Sequence, residues 1–151
     1  MNEGGIYLDT DVEILKSFDP LLADDCFLGF QLERRHSDWV NLAVSGACGE
    51  NPFLKRCMEL TVELFCREGE FFRGPTVASM VLRELGLREY GLQVIDGVKL
   101  YPRAYFYPYS WRQRYSPECI SEDTYCIHHW AGSWLPKLSL QRRFWHFLNR
   151  G

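Results

Sequence analysis

Apolar residues in this chain fall into short runs typical of strands and into longer stretches with helical spacing. Runs rich in β-branched and aromatic residues, bounded by glycine, proline or polar residues, predict strands. We predict strands at residues 6–8, 27–30, 39–44, 92–95, 98–101 and 125–129. The Asp96-Gly97 pair between two of these runs is a strong hairpin signal.

Two stretches between the strands repeat apolar residues every three to four positions. Asn51 and Pro52 are suited to cap and begin a helix that runs to about Arg67 and ends at Gly69. Its apolar stripe comprises Phe53, Cys57, Leu60, Leu64 and Phe65. A second helix follows Gly74-Pro75 and ends at Gly86. A third is predicted over residues 135–149.

The length and composition fit one α/β domain that spans residues 1–151. Of the 151 residues, 46% are hydrophobic and 25% are charged, as in ordinary globular proteins. A domain of this size buries about 70% of its unfolded surface. The aromatic fraction of 15% is high. It indicates either a thick core or stacking surfaces for rings.

Charge and cysteine content exclude several classes of function. A net charge of −3 gives no basic field, so we expect no nucleic-acid partner. The six cysteines contain no CxxC pair, which argues against a structural zinc site. No signal peptide precedes the first strand and no apolar run reaches the ~20 residues needed to span a bilayer. We therefore expect a cytoplasmic protein with reduced thiols.

Two carboxylates follow the first predicted strand, Ile6 to Leu8, which we expect to be buried. Side chains alternate along a strand, so Asp9 and Asp11 should point to one side at its carboxyl end. Carboxylate oxygens are hard ligands suited to Mg²⁺ or Mn²⁺. The alternative is a solvated strand end without a ligand, because Asp-x-Asp alone is a weak signal.

The sequence around these aspartates resembles a known family. The run GGIYLDTDVEILKSFDPLL resembles the DXD-containing sugar-binding region of glycosyltransferases of the type of the yeast initiating α-1,6-mannosyltransferase and the bacterial capsular-polysaccharide transferases. The resemblance continues, in the same order, through the segments FLGFQ, NLAVSGACGENPFLK, GPTVASMVLRELG, IDGVKLYPRAYFYPYS and SEDTYCIHHWAGSW. It implies a GT-A-type, Rossmann-like fold with a mixed sheet flanked by helices.

The resemblance also implies an activity and a set of site residues. The activity is sugar transfer from a UDP- or GDP-sugar to a glycan or lipid-linked acceptor, with retention at the anomeric carbon and with Mn²⁺ or Mg²⁺. Asp9 and Asp11 would be catalytic and would bind the metal together with His129. The donor would contact a further group of residues: Gly5, Tyr7, Asn41, Gly132, Ser133 and Trp134.

Each of these assignments has a structural alternative. His128 should face away from His129 on the strand and is the second choice as a metal ligand; both histidines could instead be satisfied core residues. Asn41 could equally be a strand-end residue. Gly74-Pro75 matches a segment near the site in the family, but a plain helix start explains it as well.

Family members carry further strands before the GG-x-Y-x-D-x-D segment, whereas this chain begins close to Gly4. We therefore expect an N-terminally truncated GT-A fold whose first strand lies at an exposed sheet edge. Such an edge favours self-association. A second hypothesis is then a catalytically incompetent fragment that binds metal or nucleotide; a third is a nucleotide-sugar hydrolase.

Two aromatic segments allow further interpretations. Tyr105, Tyr107, Tyr109 and Trp111 could stack on an acceptor sugar or, with Arg103 and Arg112, hold a lipid-linked phosphate; covering the sheet edge is the commoner role. Residues 142–150 combine basic and aromatic side chains, which suits either a packing helix or peripheral contact with the inner membrane face.

Overall fold

The computed structural model describes residues 3–132, which form an α/β domain with two small sheets and two helices. The strands are β1 (Gly5–Leu8), β2 (Val12–Ile14), β3 (Cys26–Phe30), β4 (Val40–Ala47), β5 (Gln93–Ile95), β6 (Val98–Tyr101) and β7 (Cys126–His128). The helices are α1 (Pro52–Glu68) and α2 (Gly74–Glu84), with short 3₁₀ turns at Asp19–Ala23, Arg103–Tyr105 and Pro117–Cys119. The third predicted helix lies outside the described residues.

The larger sheet is mixed, as predicted. Its strand order is β1-β4-β3-β6-β5; β3 and β6 are parallel, and the other neighbours are antiparallel. The predicted hairpin forms at Asp96-Gly97, where both residues have positive φ angles of 47° and 78°, as a tight two-residue turn requires. The smaller sheet pairs β2 with β7.

The first strand differs from its prediction as a buried strand. Among residues 3–132, β1 pairs with β4 alone and is the edge of the larger sheet, so Ile6 and Tyr7 are 37% and 58% exposed. A strand at a sheet edge leaves one row of backbone groups without a strand partner. The exposed edge expected from the resemblance is therefore present, and self-association through it remains a prediction.

The predicted signals at the ends of α1 are confirmed. Asn51 accepts a hydrogen bond from the Leu54 N–H at 3.3 Å, Pro52 begins the helix, and Gly69 ends it in the left-handed conformation. The predicted stripe is buried at Phe53, Cys57, Leu60 and Leu64. Phe65, which the sequence predicts on the same stripe, is instead 41% exposed, and its ring stacks on that of Phe71 with 4.3 Å between the ring centroids.

Each face of the larger sheet has its own core. Both described helices pack on one face, where β3 contributes Cys26, Leu28 and Phe30. The other face is covered by the irregular segment after β6, through Phe106 and Tyr107, and by β7. Gly29 permits this aromatic packing, because a Cβ there would lie 2.6 Å from the Phe106 ring. Strand alternation thus divides the domain into a helical layer and an aromatic layer.

A bulge in β4 connects the sheet to the aromatic layer. The register between β3 and β4 shifts from Leu28 opposite Ser45 to Gly29 opposite Asn41, so residues 42–44 have no partner on β3. The Asn41 side-chain oxygen accepts the Ala43 N–H at 2.9 Å, and the Val44 N–H donates to the Tyr107 hydroxyl at 3.1 Å. These bonds satisfy backbone groups that the sheet leaves free.

Candidate metal centre

The connection between β1 and β2 places two carboxylates beside the aromatic layer. The Asp9 N–H donates to the Ala43 carbonyl in the bulge at 2.8 Å, which continues the β1–β4 pairing. The Val12 N–H donates to the Asp9 carbonyl at 3.1 Å and closes a tight turn. The chain then enters β2, where Val12 lies opposite His128 of β7. Asp9 and Asp11 therefore come close together in a turn rather than along one strand.

Asp9, Asp11 and His128 form a compact group of three metal-ligating side chains. One ligand atom from each lies within 4.8 Å of the others. His128 Nε2 is 3.1 Å from Asp11 Oδ1 and 3.7 Å from Asp9 Oδ2. Because 117 positions separate Asp11 from His128 along the chain, this contact depends on the β2–β7 pairing.

The segment after β7 holds Asp11 through backbone groups. The His129 N–H donates to the Asp11 carbonyl at 2.9 Å, and the Ala131 N–H donates to Asp11 Oδ2 at 2.7 Å. Trp130, between them, has a positive φ of 54°, which is uncommon for an aromatic residue. Its indole N–H donates to the Tyr109 carbonyl at 2.9 Å, so side-chain contacts hold this conformation in place.

Asp9 has a side-chain partner of its own. The Tyr7 hydroxyl donates to Asp9 Oδ1 at 2.7 Å. This bond, with a smaller contribution from burial, raises the pKa of the Tyr7 hydroxyl, so the phenol stays a hydrogen-bond donor near neutral pH. Tyr7 therefore orients Asp9 while Asp9 Oδ2 stays directed towards His128.

Burial makes His128 a neutral imidazole. Its side chain packs against Trp130 at 4.2 Å between ring centroids and is 8% exposed. Burial lowers the pKa of His128, and the carboxylates of Asp11 and Asp9 oppose this shift only in part. Neutral imidazole is the form that ligates metals.

The donor set fits a divalent cation. Two carboxylates and one imidazole suit Mn²⁺ better than Mg²⁺, which prefers oxygen ligands alone. His128 Nδ1 is buried and has no hydrogen-bond partner among residues 3–132. His128 Nε2 lies 3.1 Å from Asp11 Oδ1 and is the ring nitrogen that would bind a cation held between the aspartates.

The structure places His128 beside the aspartates, whereas the resemblance favoured His129 as the metal ligand. His129 Nε2 is 2.8 Å from Glu13 Oε2, and His129 Nδ1 is 3.4 Å from the Tyr109 hydroxyl, so its ring faces β2 and the aromatic segment. Neighbouring residues at a strand end point to opposite sides, as expected, but the pairing with β2 turns His128 towards the aspartates. Glu13 was not predicted at all, since one exposed glutamate in a three-residue strand gives no sequence signal.

The remaining predicted residues divide between two places. Gly5 and Tyr7 line a groove of about 290 Å³ along β1, together with Ser45 to Cys48 of β4 and its following loop. Gly132 follows Ala131 at the group, with a positive φ of 58°. Ser133 and Trp134 lie outside the described residues.

Asn41 is occupied within the fold rather than pointing into an open site. It is 8% exposed; its amide nitrogen donates to Gln31 Oε1 at 2.8 Å, and its amide oxygen supports the bulge. The polar atoms predicted to contact a donor sugar are therefore engaged in holding the strand that positions Asp9.

Comparison with known proteins bears directly on the two aspartates. Residues 1–28 match the family model of the glycosyltransferase sugar-binding region containing the DXD motif. The match includes Asp9 and Asp11 and ends inside β3, so it does not reach His128. It supports the resemblance to DXD glycosyltransferases. Searches of curated proteins and of solved structures gave no match.

No helix among the described residues is long and apolar enough to cross a membrane.

Proposed function

We propose that this protein is a metal-dependent, retaining glycosyltransferase that uses a UDP- or GDP-sugar as donor. The observation that carries the proposal is the convergence of the DXD aspartates, Asp9 and Asp11, with His128 within 4.8 Å. The three side chains come from opposite ends of the described chain, and the backbone N–H of Ala131 adds a further contact to Asp11.

The protein's own groups would hold and orient a divalent cation. Asp9, Asp11 and His128 would bind Mn²⁺ or Mg²⁺, with Tyr7 fixing Asp9 and Ala131 fixing Asp11. Bound there, the cation would stabilise negative charge that develops on the leaving nucleoside diphosphate. The pre-set hydrogen bonds reduce the rearrangement that binding requires.

The donor would lie between this group and the groove along β1. Gly5 and Tyr7 line the groove, and Tyr7 also contacts Asp9, so one side chain joins the two regions. From the resemblance, Gly132, Ser133 and Trp134 would approach the phosphates, where glycine allows close contact of the backbone with an anion. Asn41 would contribute through the bulge.

Retention needs no protein general base. The bond between the anomeric carbon and the diphosphate oxygen would break, a bond to the acceptor oxygen would form on the same face, and the acceptor's proton would pass to the departing phosphate. The acceptor would be a glycan or a lipid-linked glycan of surface-polysaccharide or capsule synthesis. Contact with the inner membrane face and pairing of β1 edges between copies are part of this proposal.

A binding module without transferase activity is the second candidate. Its support is that no lysine or arginine side chain within residues 3–132 forms an ion pair with Asp9 or Asp11. The described residues thus provide a place for a metal, while no lysine or arginine among them is held there by the two aspartates.

A thermal-shift panel tests donor binding. UDP- and GDP-sugars would be added with and without Mn²⁺ to the wild type, to Asp11→Asn and to the control Asp96→Asn in the β5–β6 turn. A ligand at 100 times its Kd adds about 2.7 kcal/mol, and each kcal/mol raises the Tm by roughly 2–4 °C at this size. We expect a Mn²⁺-dependent shift for one nucleotide, absent in Asp11→Asn and retained in Asp96→Asn.

Product analysis separates the candidates. Nucleoside diphosphate release that requires an acceptor indicates a transferase, and release without an acceptor indicates a hydrolase. A Mn²⁺-dependent shift with no release in either case indicates the binding module. A cooperative melt with no shift for any donor contradicts the proposal of a donor site.

A further inference from the structure

Two aromatic rings after the 3₁₀ turn at Arg103–Tyr105 point away from the core. Trp111 and Tyr115 are 38% and 43% exposed, whereas Tyr107 is fully buried and Tyr109 is 7% exposed. The aromatic segment therefore covers the sheet with some of its rings and exposes others. Its first half completes the aromatic layer, and its second half presents two rings to solvent.

Trp111 is connected to the candidate metal centre through another ring, and Tyr115 lies beside the neighbouring His129. The ring centroids of Trp111 and Trp130 are 5.5 Å apart, and Trp130 packs on the imidazole of His128, the candidate metal ligand. The centroid of the Tyr115 ring is 5.8 Å from that of His129 and 5.6 Å from that of Tyr109. One chain of rings thus runs from His128 through Trp130 to Trp111, and a second group of rings runs from His129 and Tyr109 to Tyr115.

The turn that carries Trp111 is fixed by hydrogen bonds. The Gln113 N–H donates to the Ser110 carbonyl, and Gln113 Oε1 accepts from the Ser110 N–H, each at 2.9 Å. Arg103 donates to the Pro108 carbonyl at 3.0 Å and lies 3.4 Å from Gln113 Oε1. A surface ordered before its ligand arrives loses less conformational entropy on binding.

We propose that Trp111 and Tyr115 form the binding site for the acceptor saccharide. The electron-rich face of an aromatic ring attracts the polarised C–H groups on one side of a pyranose ring. The guanidinium carbon of Arg112 is 5.8 Å from the centroid of the Trp111 ring and Arg112 is exposed, so its N–H groups could donate to hydroxyls of a sugar bound there. The ligand class is therefore a pyranose-containing glycan.

The assignment of these rings to the acceptor, rather than to the donor, rests on the proposed function and on the positions of the rings and of the β1 groove relative to the candidate metal centre. The groove along β1 reaches Asp9 through Tyr7 and is the donor side in that proposal. Trp111 and Tyr115 reach the other ligand, His128, and its neighbour His129. A saccharide on these rings would lie next to the metal centre without occupying the groove.

Saturation-transfer NMR on the full chain tests the site directly, with methyl pyranosides of mannose, glucose and galactose as probes. The titrations would be run with and without Mn²⁺ on the wild type, Trp111→Ala, Tyr115→Ala and Trp111→Phe. Phe71→Ala is a matched control, since Phe71 is a 74% exposed aromatic residue between α1 and α2. We expect Trp111→Ala and Tyr115→Ala each to weaken saccharide binding about 2- to 10-fold. Trp111→Phe should retain most of the wild-type affinity, and Phe71→Ala should leave the affinity unchanged.

Decyl glycosides of the same sugars distinguish a free glycan from a lipid-linked one. Equal affinity for methyl and decyl glycosides indicates a free saccharide, and tighter binding of the decyl forms that still needs the sugar indicates a lipid-linked one; both support the site. Binding that follows the alkyl chain alone would overturn it. The proposed site would also be overturned if saccharide binding were unchanged in both alanine variants, or if uridine or guanosine competed with the saccharide for Trp111.

The failure of this inference is distinguishable from failure of the proposed function. Mn²⁺ affinity, followed by electron paramagnetic resonance, reports on Asp11 and not on Trp111. If Mn²⁺ binding requires Asp11 but no probe contacts Trp111 or Tyr115, the acceptor site alone is wrong. If saccharides bind at the rings but Asp11→Asn leaves Mn²⁺ affinity unchanged, the metal-dependent transferase is wrong.

Discussion

The two layers of this domain share one sheet and are built differently. The helical layer is formed mostly of aliphatic side chains from regular elements, chiefly those that follow one another from β3 through α2, together with β6. The aromatic layer gathers Phe18, Phe27, Phe106 and Tyr107 from segments far apart, most of them outside helices and strands. The candidate metal centre belongs entirely to the aromatic layer.

This difference separates a scaffold from a site. Regular helices satisfy their own backbone groups, so the helical layer needs few side-chain hydrogen bonds. The aromatic layer satisfies its irregular backbone through side chains, such as the Tyr107 hydroxyl on β4 and the Trp130 indole on Tyr109. Loops held in this way can bring distant polar groups together at the surface, which is where binding residues commonly occur.

Core truncations in the two layers give the largest expected effects. Leu82→Ala and Phe106→Ala each remove a fully buried side chain, and each should lower the free energy of unfolding by about 3–5 kcal/mol in urea denaturation. Only Phe106→Ala should also weaken Mn²⁺ binding by the folded protein, because Phe106 packs in the layer that positions β7. Leu82→Ala should leave that affinity within about twofold. If Leu82→Ala and Phe106→Ala weakened Mn²⁺ binding equally, the helical layer would also be positioning the candidate metal centre.

The two histidines of the aromatic layer provide a sharper test. His128→Gln should reduce Mn²⁺ affinity about 100-fold, because it removes the imidazole nearest both aspartates. His129→Gln should cause a much smaller loss, since its ring faces Glu13. Titration of both variants by electron paramagnetic resonance checks the order. The reverse order would make His129 the ligand, as the resemblance implied.

The helical layer can be perturbed without touching the centre. Gly69 ends α1 with a φ of 74°, and a Cβ there would meet no atom within 4 Å, so Gly69→Ala would act through backbone strain alone. We expect a loss of about 1 kcal/mol in chemical denaturation, less for Gly69→Asn, and unchanged Mn²⁺ binding. If Gly69→Asn lowered the free energy of unfolding as much as Gly69→Ala does, that result would argue against a left-handed conformation at the end of α1.

The smallest expected effect is the pH dependence contributed by His128 in the metal-free protein. Burial lowers its pKa below the ordinary 6.5, so the unfolded state binds this proton more readily than the folded state. Stability should therefore fall as pH decreases from about 6.5 towards the lowered pKa, and should be regained at higher pH. The carboxylates of Asp11 and Asp9 oppose this shift in the pKa of His128, and the charge of the neighbouring His129 reinforces it.

Thermal melts in EDTA between about pH 5 and 7.5 measure this effect. His128→Gln should show a shallower decrease in Tm towards acid than the wild type. His36→Gln is the control, since His36 is exposed in the loop between β3 and β4. An identical pH profile in wild type and His128→Gln would mean that His128 is not buried as a neutral group.

Local sequence determined both described helices, every described strand except β2, and the first half of the site. Asn51, Pro52 and Gly69 set the ends of α1, and Asp96-Gly97 sets the β5–β6 turn, because each acts on neighbouring backbone atoms. Asp9 and Asp11 were identified for a similar reason, since two nearby carboxylates are close together whatever the rest of the chain does.

Tertiary structure decided the rest. Whether His128 or His129 meets the aspartates depends on the register of β7 against β2, and a shift by one residue would exchange them. Whether Asn41 meets a donor or supports a bulge depends on where β3 and β4 lose register. The exposure of Ile6 follows from the position of β1 at the sheet edge. These are long-range pairings, and one strand's sequence carries no information about which distant strand lies beside it, or in which register.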